Sequence, residues 1–341
     1  MENTKSLILT NTSIETIEKQ ISIGDKILEL VNQSFVMLTS KDFTFQIITL
    51  NDYIKKIEKI ALNKKIENVF LDNLISIQTV NRNSIVTFFT KSGKYYTTVI
   101  SKLLKVDDLE VLFDVDNDNQ IVNVLSFDKN LENLENQNLI FATRNGFVKR
   151  TKINQFLAEC YKSDLAIKLY DNDFLVNVAS ANDGNQIILG SKFGHVVRFG
   201  VNKIKPTLKK TYGKSGMYIV EEDNNTIIGL AIIENFDNHI LAVTENGKVK
   251  KSAVNDFRIT NRGGKGVRAA LVSNQTGFII NIGIVNEEDN CLIITNLNNI
   301  FIAAIFTLRS TGRATESTNL FKLKENEKII SIIRLPNLNI V

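Results

Sequence analysis

The chain has 341 residues, is 43% apolar and 23% charged, and contains 2 prolines, 2 cysteines and no tryptophan. That composition can bury a substantial core, so the chain need not be disordered; no uncharged apolar run of about 18 residues marks a membrane helix. The net charge of +4 is uneven: Asn138 to Arg268 hold 20 Lys+Arg against 12 Asp+Glu, and the remainder 21 against 25. A basic half suits a polyanionic partner, although ordinary solvation of exposed loops gives the same balance.

In chain order, residues 1–31 come first. MENTKSLILTNTSIET lacks the basic start, long apolar stretch and small-residue cleavage site of a signal peptide. Leu7-Ile8-Leu9 and Ile27-Leu28-Glu29-Leu30 carry no hairpin signature, so this stretch is read as a lead-in or a blade-completing strand. From there six units follow, near 32–82, 83–136, 137–184, 185–237, 238–289 and 290–341. Each contains an apolar run ending in Thr or Ser: Thr39, Thr90, Thr143, Ser191, Thr244 and Thr295, spaced by 51, 53, 48, 53 and 51 residues. Three positions on stand Asp42, Gly93, Gly146, Gly194, Gly247 and Asn298, residue types that tolerate the positive φ of a tight hairpin. A period of this length marks a modular ring or array.

The third unit shows the pattern. Leu139-Ile140-Phe141 is a strand, Asn145-Gly146 a hairpin turn, and Phe147-Val148-Lys149-Arg150-Thr151 the returning strand. A polar loop and a second apolar strand follow, read at Leu165–Leu169 in the third unit and Thr226–Ile233 in the fourth. Roughly four short strands per ~50 residues is the content of a propeller blade. The first unit holds the single helical candidate, Asn51 to Phe70, and Ile329 to Leu335 before Pro336 reads as the last strand. The expected fold is all-β: a six-bladed, propeller-like ring whose blades depend on their neighbours.

Catalytic signatures are missing. His195 and His239 have no HxxxH, HExxH or cysteine companion, no GxSxG elbow occurs, and Arg262-Gly263-Gly264-Lys265-Gly266 departs from a phosphate-binding P-loop. The acidic turns around Asp114 and Glu221 lack EF-hand spacing, so neither metal nor cofactor is expected. Cys160 and Cys291 are isolated and read as buried thiols in a reducing, cytoplasmic compartment.

The cations are better organised. The sixth and seventh positions after the anchors hold Lys149-Arg150, Val197-Arg198 and Lys250-Lys251 in the middle units, but Phe45-Gln46, Tyr96-Thr97 and Phe301-Ile302 in the outer ones. Lys152 and Lys248 flank these strands. Downstream loops add Lys203, Lys205, Lys209, Lys210 and Lys214 in the fourth unit, and Arg258, Arg262, Lys265 and Arg268 in the fifth. If equivalent positions occupy equivalent places, these cations form one basic arc on the ring's rim, fit to hold duplex DNA by its phosphates and bend it. The glycines of 263–266 suit close backbone approach to a phosphate, or simply serve turns.

The phrases TRNGFVKRT, SKFGHVVRF and TENGKVKKS resemble the C-terminal domain of bacterial type IIA topoisomerase A subunits, over residues 35–335 and most closely between Asn138 and Asn298. The resemblance implies a six-bladed β-pinwheel, with strands exchanged between blades, that binds and bends duplex DNA on its outer edge. It implies as partners the A-subunit catalytic core and the ATPase B subunit, together with a bacterial nucleoid-associated location and no activity of its own. In that family the catalytic tyrosine lies in a winged-helix domain far N-terminal to the pinwheel, so none of the seven tyrosines here takes that role. Met1 would then begin an excised piece, a split subunit or a free-standing pinwheel, expected to be monomeric.

Gyrase-type members carry a QRRGGKG box in the first blade, which supports wrapping and negative supercoiling; the first unit here continues from Asp52 without one. The fifth-unit echo Thr260-Asn261-Arg262-Gly263-Gly264-Lys265-Gly266 lacks the leading Gln-Arg pair. Glu159 to Asp173 and Tyr95 to Leu103 resemble topoisomerase IV members more than gyrase members. The expected role is therefore DNA positioning for ATP-dependent strand passage. A gyrase-type wrapping domain is the alternative, and a protein-interaction propeller without a DNA role is the rival from another class.

Overall fold

The computed structural model describes residues 34–336 except 62–72, 107, 116–118, 129–136, 158–162, 221–223 and 314. The expectations for residues 1–31 and Cys160 lie outside the described residues, as do most of the acidic turns after Asp114 and Glu221.

Among the described residues the strands form six antiparallel sheets, one per unit. The first joins β1 (Ser34–Ser40), β2 (Phe45–Thr49) and β3 (Leu74–Asn81). The second orders β6 (Ile121–Phe127), β4 (Ile85–Thr90), β5 (Lys94–Val99) and β9 (Ser163–Leu165). The third orders β10 (Leu175–Ala181), β7 (Asn138–Thr143), β8 (Phe147–Lys152) and β13 (Lys214–Ser215). The fourth orders β14 (Ile227–Ile233), β11 (Gln186–Ser191), β12 (His195–Gly200) and β17 (Val267–Arg268). The fifth orders β18 (Ile279–Val285), β15 (His239–Thr244), β16 (Lys248–Ala253) and β21 (Thr318–Asn319). The sixth joins β20 (Ile300–Ala304), β19 (Asn290–Thr295) and β22 (Ile329–Arg334).

The last strand of each unit lies innermost. β3, β6, β10, β14, β18 and β22 pack each against the next, and β22 returns to β3, so the ring is closed. The outermost strand of each four-stranded sheet is a loan from the following unit. β9 of the third unit completes the second sheet, and β13, β17 and β21 do the same one seam further on. On the first sheet the loan is, among the described residues, one bridge from Thr44 to Asp108. Of the apolar run at 165–169 only Leu165 is strand, as the end of β9, which leaves its own blade; Ala166 and Ile167 are core residues. The third unit's counterpart of β14 is β10, ten residues further on than the sequence pattern suggests (Leu175 against Leu165).

The anchors explain the hairpins. The hydroxyls of Thr143, Ser191, Thr244 and Thr295 each accept the backbone N–H four residues on, tying off the turn. Gly93, Gly146, Gly194, Gly247 and Asn298 have φ of 83, 87, 79, 79 and 57°. The first unit is shifted by one residue: Phe43, not Asp42, has the positive φ of 66°, and the register break between Thr39 and Ser40 marks Ser40 as the anchor. Two adjacent hydroxyls make the wrong one look periodic.

Among the described residues, the first unit brings α1 (Leu50–Ala61) to its seam with the sixth. Thr49 caps this helix: its hydroxyl accepts the Asp52 N–H at 3.2 Å and donates to the Asp52 carboxylate at 2.8 Å. Tyr53, Ile57 and Ile60 recur at helical spacing and pack with Leu292, Ile294, Ile300, Ile302 and Leu335 of the last unit. A helical face thus packs across this seam of the ring.

Candidate nucleic-acid interface

The cations of the repeat strands do not face solvent. Lys149, Arg150, Arg198, Lys250 and Lys251 are only 2, 4, 5, 3 and 3% exposed. Each lies on the second strand of its hairpin, which the borrowed strand or its flanking loop covers from outside. Arg198 donates from Nε to Gln186 Oε1 at 2.7 Å, and from Nη1 to the carbonyls of Val254 at 2.7 Å and Phe257 at 2.8 Å. Arg150 donates to Asn138 Oδ1 at 2.9 Å, to the Ile204 carbonyl at 3.3 Å and to Asp183. Lys251 donates to both Glu287 carboxylate oxygens at 2.9 Å and to the Ile305 carbonyl at 3.2 Å.

The three share one geometry. Each reaches the single helical turn that follows the hairpin in the next unit: Val201–Lys203, Val254–Asp256 or Ile305–Thr307. Their own carbonyls accept from Thr207, Thr260 and Thr311 in the loop beyond it. The periodic cations are therefore seam staples, and the expected rim position is corrected for all five. Lys149 and Lys250 play a related part, donating to Ala166 O at 2.6 Å and Arg313 O at 2.7 Å. Burial, with Lys209 nearby adding repulsion, lowers the Lys149 ammonium from 10.5 to about 7.

The loop cations are placed differently. Lys203, Lys205, Lys210, Lys214, Arg258, Arg262, Lys265 and Arg268 are exposed; Lys152, Lys209 and Lys248 are half-buried. These loops run outward along the ring to supply the borrowed strands, so Lys214 and Arg268 stand on the outermost strands themselves. Arg262 donates to the carbonyls of Ser215 at 2.7 Å and Lys203 at 3.2 Å, which brings Lys203, Lys214 and Arg262 to one seam. Two others are already engaged: Lys210 pairs with Asp164 at 2.9 Å, and Lys209 donates to the Tyr95 hydroxyl at 2.8 Å.

The glycine-rich segment lies along the neighbouring blade. Gly264 bridges Met217, and a Cβ on Gly266, at φ +83°, would stand 2.6 Å from the Val196 carbonyl. Its small residues serve this backbone approach.

A family model described as the DNA gyrase C-terminal domain, beta-propeller, matches residues 137–182, 185–234, 238–286 and 289–336. The chain belongs to that family. The first two units fall outside those matches yet form the same kind of sheet, which makes the ring six-bladed. The DNA gyrase A subunit of Staphylococcus epidermidis is 27% identical over 271 residues, covering 77% of this chain and 30% of that protein. Its Staphylococcus aureus counterpart is 27% identical over 277 residues, covering 79% and 30%. The chain thus spans under a third of the curated relatives it matches. Its fold is similar to a crystal structure of the C-terminal domain of DNA topoisomerase IV, with TM-score 0.71, 21% identity and coverage of 88% of this chain and 93% of that one. A structure of the DNA gyrase A C-terminal domain also scores 0.71, at 17% identity, covering 89% of this chain and all of that one (100%). Among the described residues no helix is long and apolar enough to cross a membrane.

The sequence pattern missed the rim aromatics. Tyr170, Tyr212 and Tyr218 are 43, 46 and 52% exposed, whereas Tyr53, Tyr95 and Tyr96 are buried. Their loops carry no strand pattern; the one available signal is that Tyr170, Tyr212 and Tyr218 fall inside the basic half.

Proposed function

We propose that this domain binds and bends duplex DNA along the outer edge of its basic half, as a non-catalytic element of a type IIA topoisomerase. The carrying observation is the gathering of exposed Lys203, Lys214 and Arg262 at one seam, flanked by Lys205, Arg258, Lys265 and Arg268 on the same rim loops. Lys152, Lys209, Lys210 and Lys248 add to the field around them. Lys149, Arg150, Arg198, Lys250 and Lys251 act indirectly, by holding the loops that present the outer cations. The partners are the A-subunit catalytic core and the ATPase B subunit, in the bacterial cytoplasm at the nucleoid, with the domain itself monomeric. The test is binding to a roughly 40-base-pair duplex across a salt series: a log–log slope of about −0.9 per phosphate contact supports the reading, and a flat response refutes it.

Within the family the topoisomerase IV role is favoured: positioning a segment for strand passage. Its support is the first unit, where the gyrase box is missing and α1 runs into the seam with the sixth. The names of the staphylococcal relatives favour the gyrase role instead. Binding to a relaxed circle that is then closed by ligase separates them: unchanged linking number supports the topoisomerase IV role, and a shift supports chiral wrapping.

A further inference from the structure

The rim carries a second chemistry besides charge. Tyr170 stacks on Tyr212 with ring centroids 4.7 Å apart and an interplanar angle of 28°. Phe147 also packs on Tyr170, with ring centroids 4.5 Å apart and a tilt of 38°. Lys168 Nζ stands 5.9 Å from the Tyr212 ring, and at the next seam Lys265 Nζ stands 5.8 Å from the Tyr218 ring.

The two pairs are equivalent by position. Ala166 and Gly216 both donate to the hairpin glycine of the preceding blade, Gly93 and Gly146 respectively, which aligns Lys168 with Tyr218. Lys168 bridges Tyr212, and Met217 next to Tyr218 bridges Gly264 next to Lys265. Each seam therefore pairs one exposed tyrosine with one exposed lysine, with the roles reversed. At the following seam the pattern ends, since the same positions hold Leu271 and Glu316.

Exposed aromatic faces beside ammonium groups match nucleobases beside phosphates. A duplex cannot use those faces, because its bases are already stacked on one another; unpaired bases can. We propose that Tyr212 and Tyr218, with Lys168 and Lys265, form a stacking platform for single-stranded DNA, in which Tyr170 buttresses the Tyr212 ring. This rests on the DNA-binding reading above and extends it to strands whose bases are unpaired.

The experiment uses a labelled oligothymidylate of about 20 nucleotides and a duplex of about 40 base pairs, titrated into the full chain by anisotropy. The Tyr212→Ala/Tyr218→Ala variant is expected to lose affinity for the single strand by about tenfold or more, with duplex affinity held within about twofold. The Tyr212→Phe/Tyr218→Phe variant keeps the ring faces and is expected to bind like the parent. With no tryptophan in the chain, tyrosine emission should also fall on single-strand binding. Oligothymidylate binding that is unchanged in the alanine variant, with unchanged salt slope, overturns the platform and leaves duplex binding standing. Absence of binding to either probe overturns both readings. Circular dichroism melts of each variant establish that the ring is intact.

Discussion

Arg198 and Lys203 lie five positions apart in one blade, and their environments differ completely. Arg198 is enclosed and donates to one side-chain and two backbone oxygens; Lys203 stands in water on the rim. Periodicity in a ring of repeats reports what the seams need. A cation recurring at one register of a strand covered on both sides is a packing element. Cations scattered through the connecting loops are the ones a phosphate can reach.

The largest consequence concerns Arg198. Arg198→Met should destabilise the ring by about 3–5 kcal/mol in urea unfolding, because the Phe257 carbonyl and Gln186 Oε1 lose the guanidinium and the Val254 carbonyl is left with the Phe257 N–H alone. Arg150→Met should cost less, about 2 kcal/mol, since its carboxylate partner Asp183 has a side chain 60% exposed and can turn to solvent. Equal losses for the two would break the distinction between fully and partly enclosed staples.

Lys149 gives a pH test. The folded ring releases this proton near pH 7, whereas the unfolded chain holds it to 10.5. Between those values the unfolded state binds more protons, so this group makes stability rise with pH, and below about 7 that gain is absent. Lys149→Met should flatten the rise in urea midpoint between about pH 7 and pH 10; an unchanged rise would assign it to other groups.

Much of the ring was legible because it rests on local rules. A β-rich run, a hydroxyl anchor and a residue tolerant of positive φ specify each hairpin, and their recurrence specifies the count. The slip from Ser40 to Thr39 arose because neighbouring hydroxyls are equivalent on paper, while the register break that separates them is tertiary. The borrowed strands were illegible for another reason. β13, β17 and β21 are two residues long, too short for any alternation, and their partners lie in another unit. The covering of Lys149 to Lys251 followed from those same loans, so the burial of the staples could not be read before the exchange was known. α1 was visible as a helical period, yet its work at the ring's closing seam depends on Leu292 and Ile302, far along the chain.

The smallest expected effect on stability accompanies the most informative effect on binding. Lys203→Gln/Lys205→Gln/Lys214→Gln alters exposed side chains only and should leave unfolding within about 0.5 kcal/mol of the parent. Duplex affinity measured across salt should drop, and the log–log slope should become shallower by about 2–3, one phosphate contact per lost charge. An identical slope in this folded variant would contradict the outer rim as the DNA track.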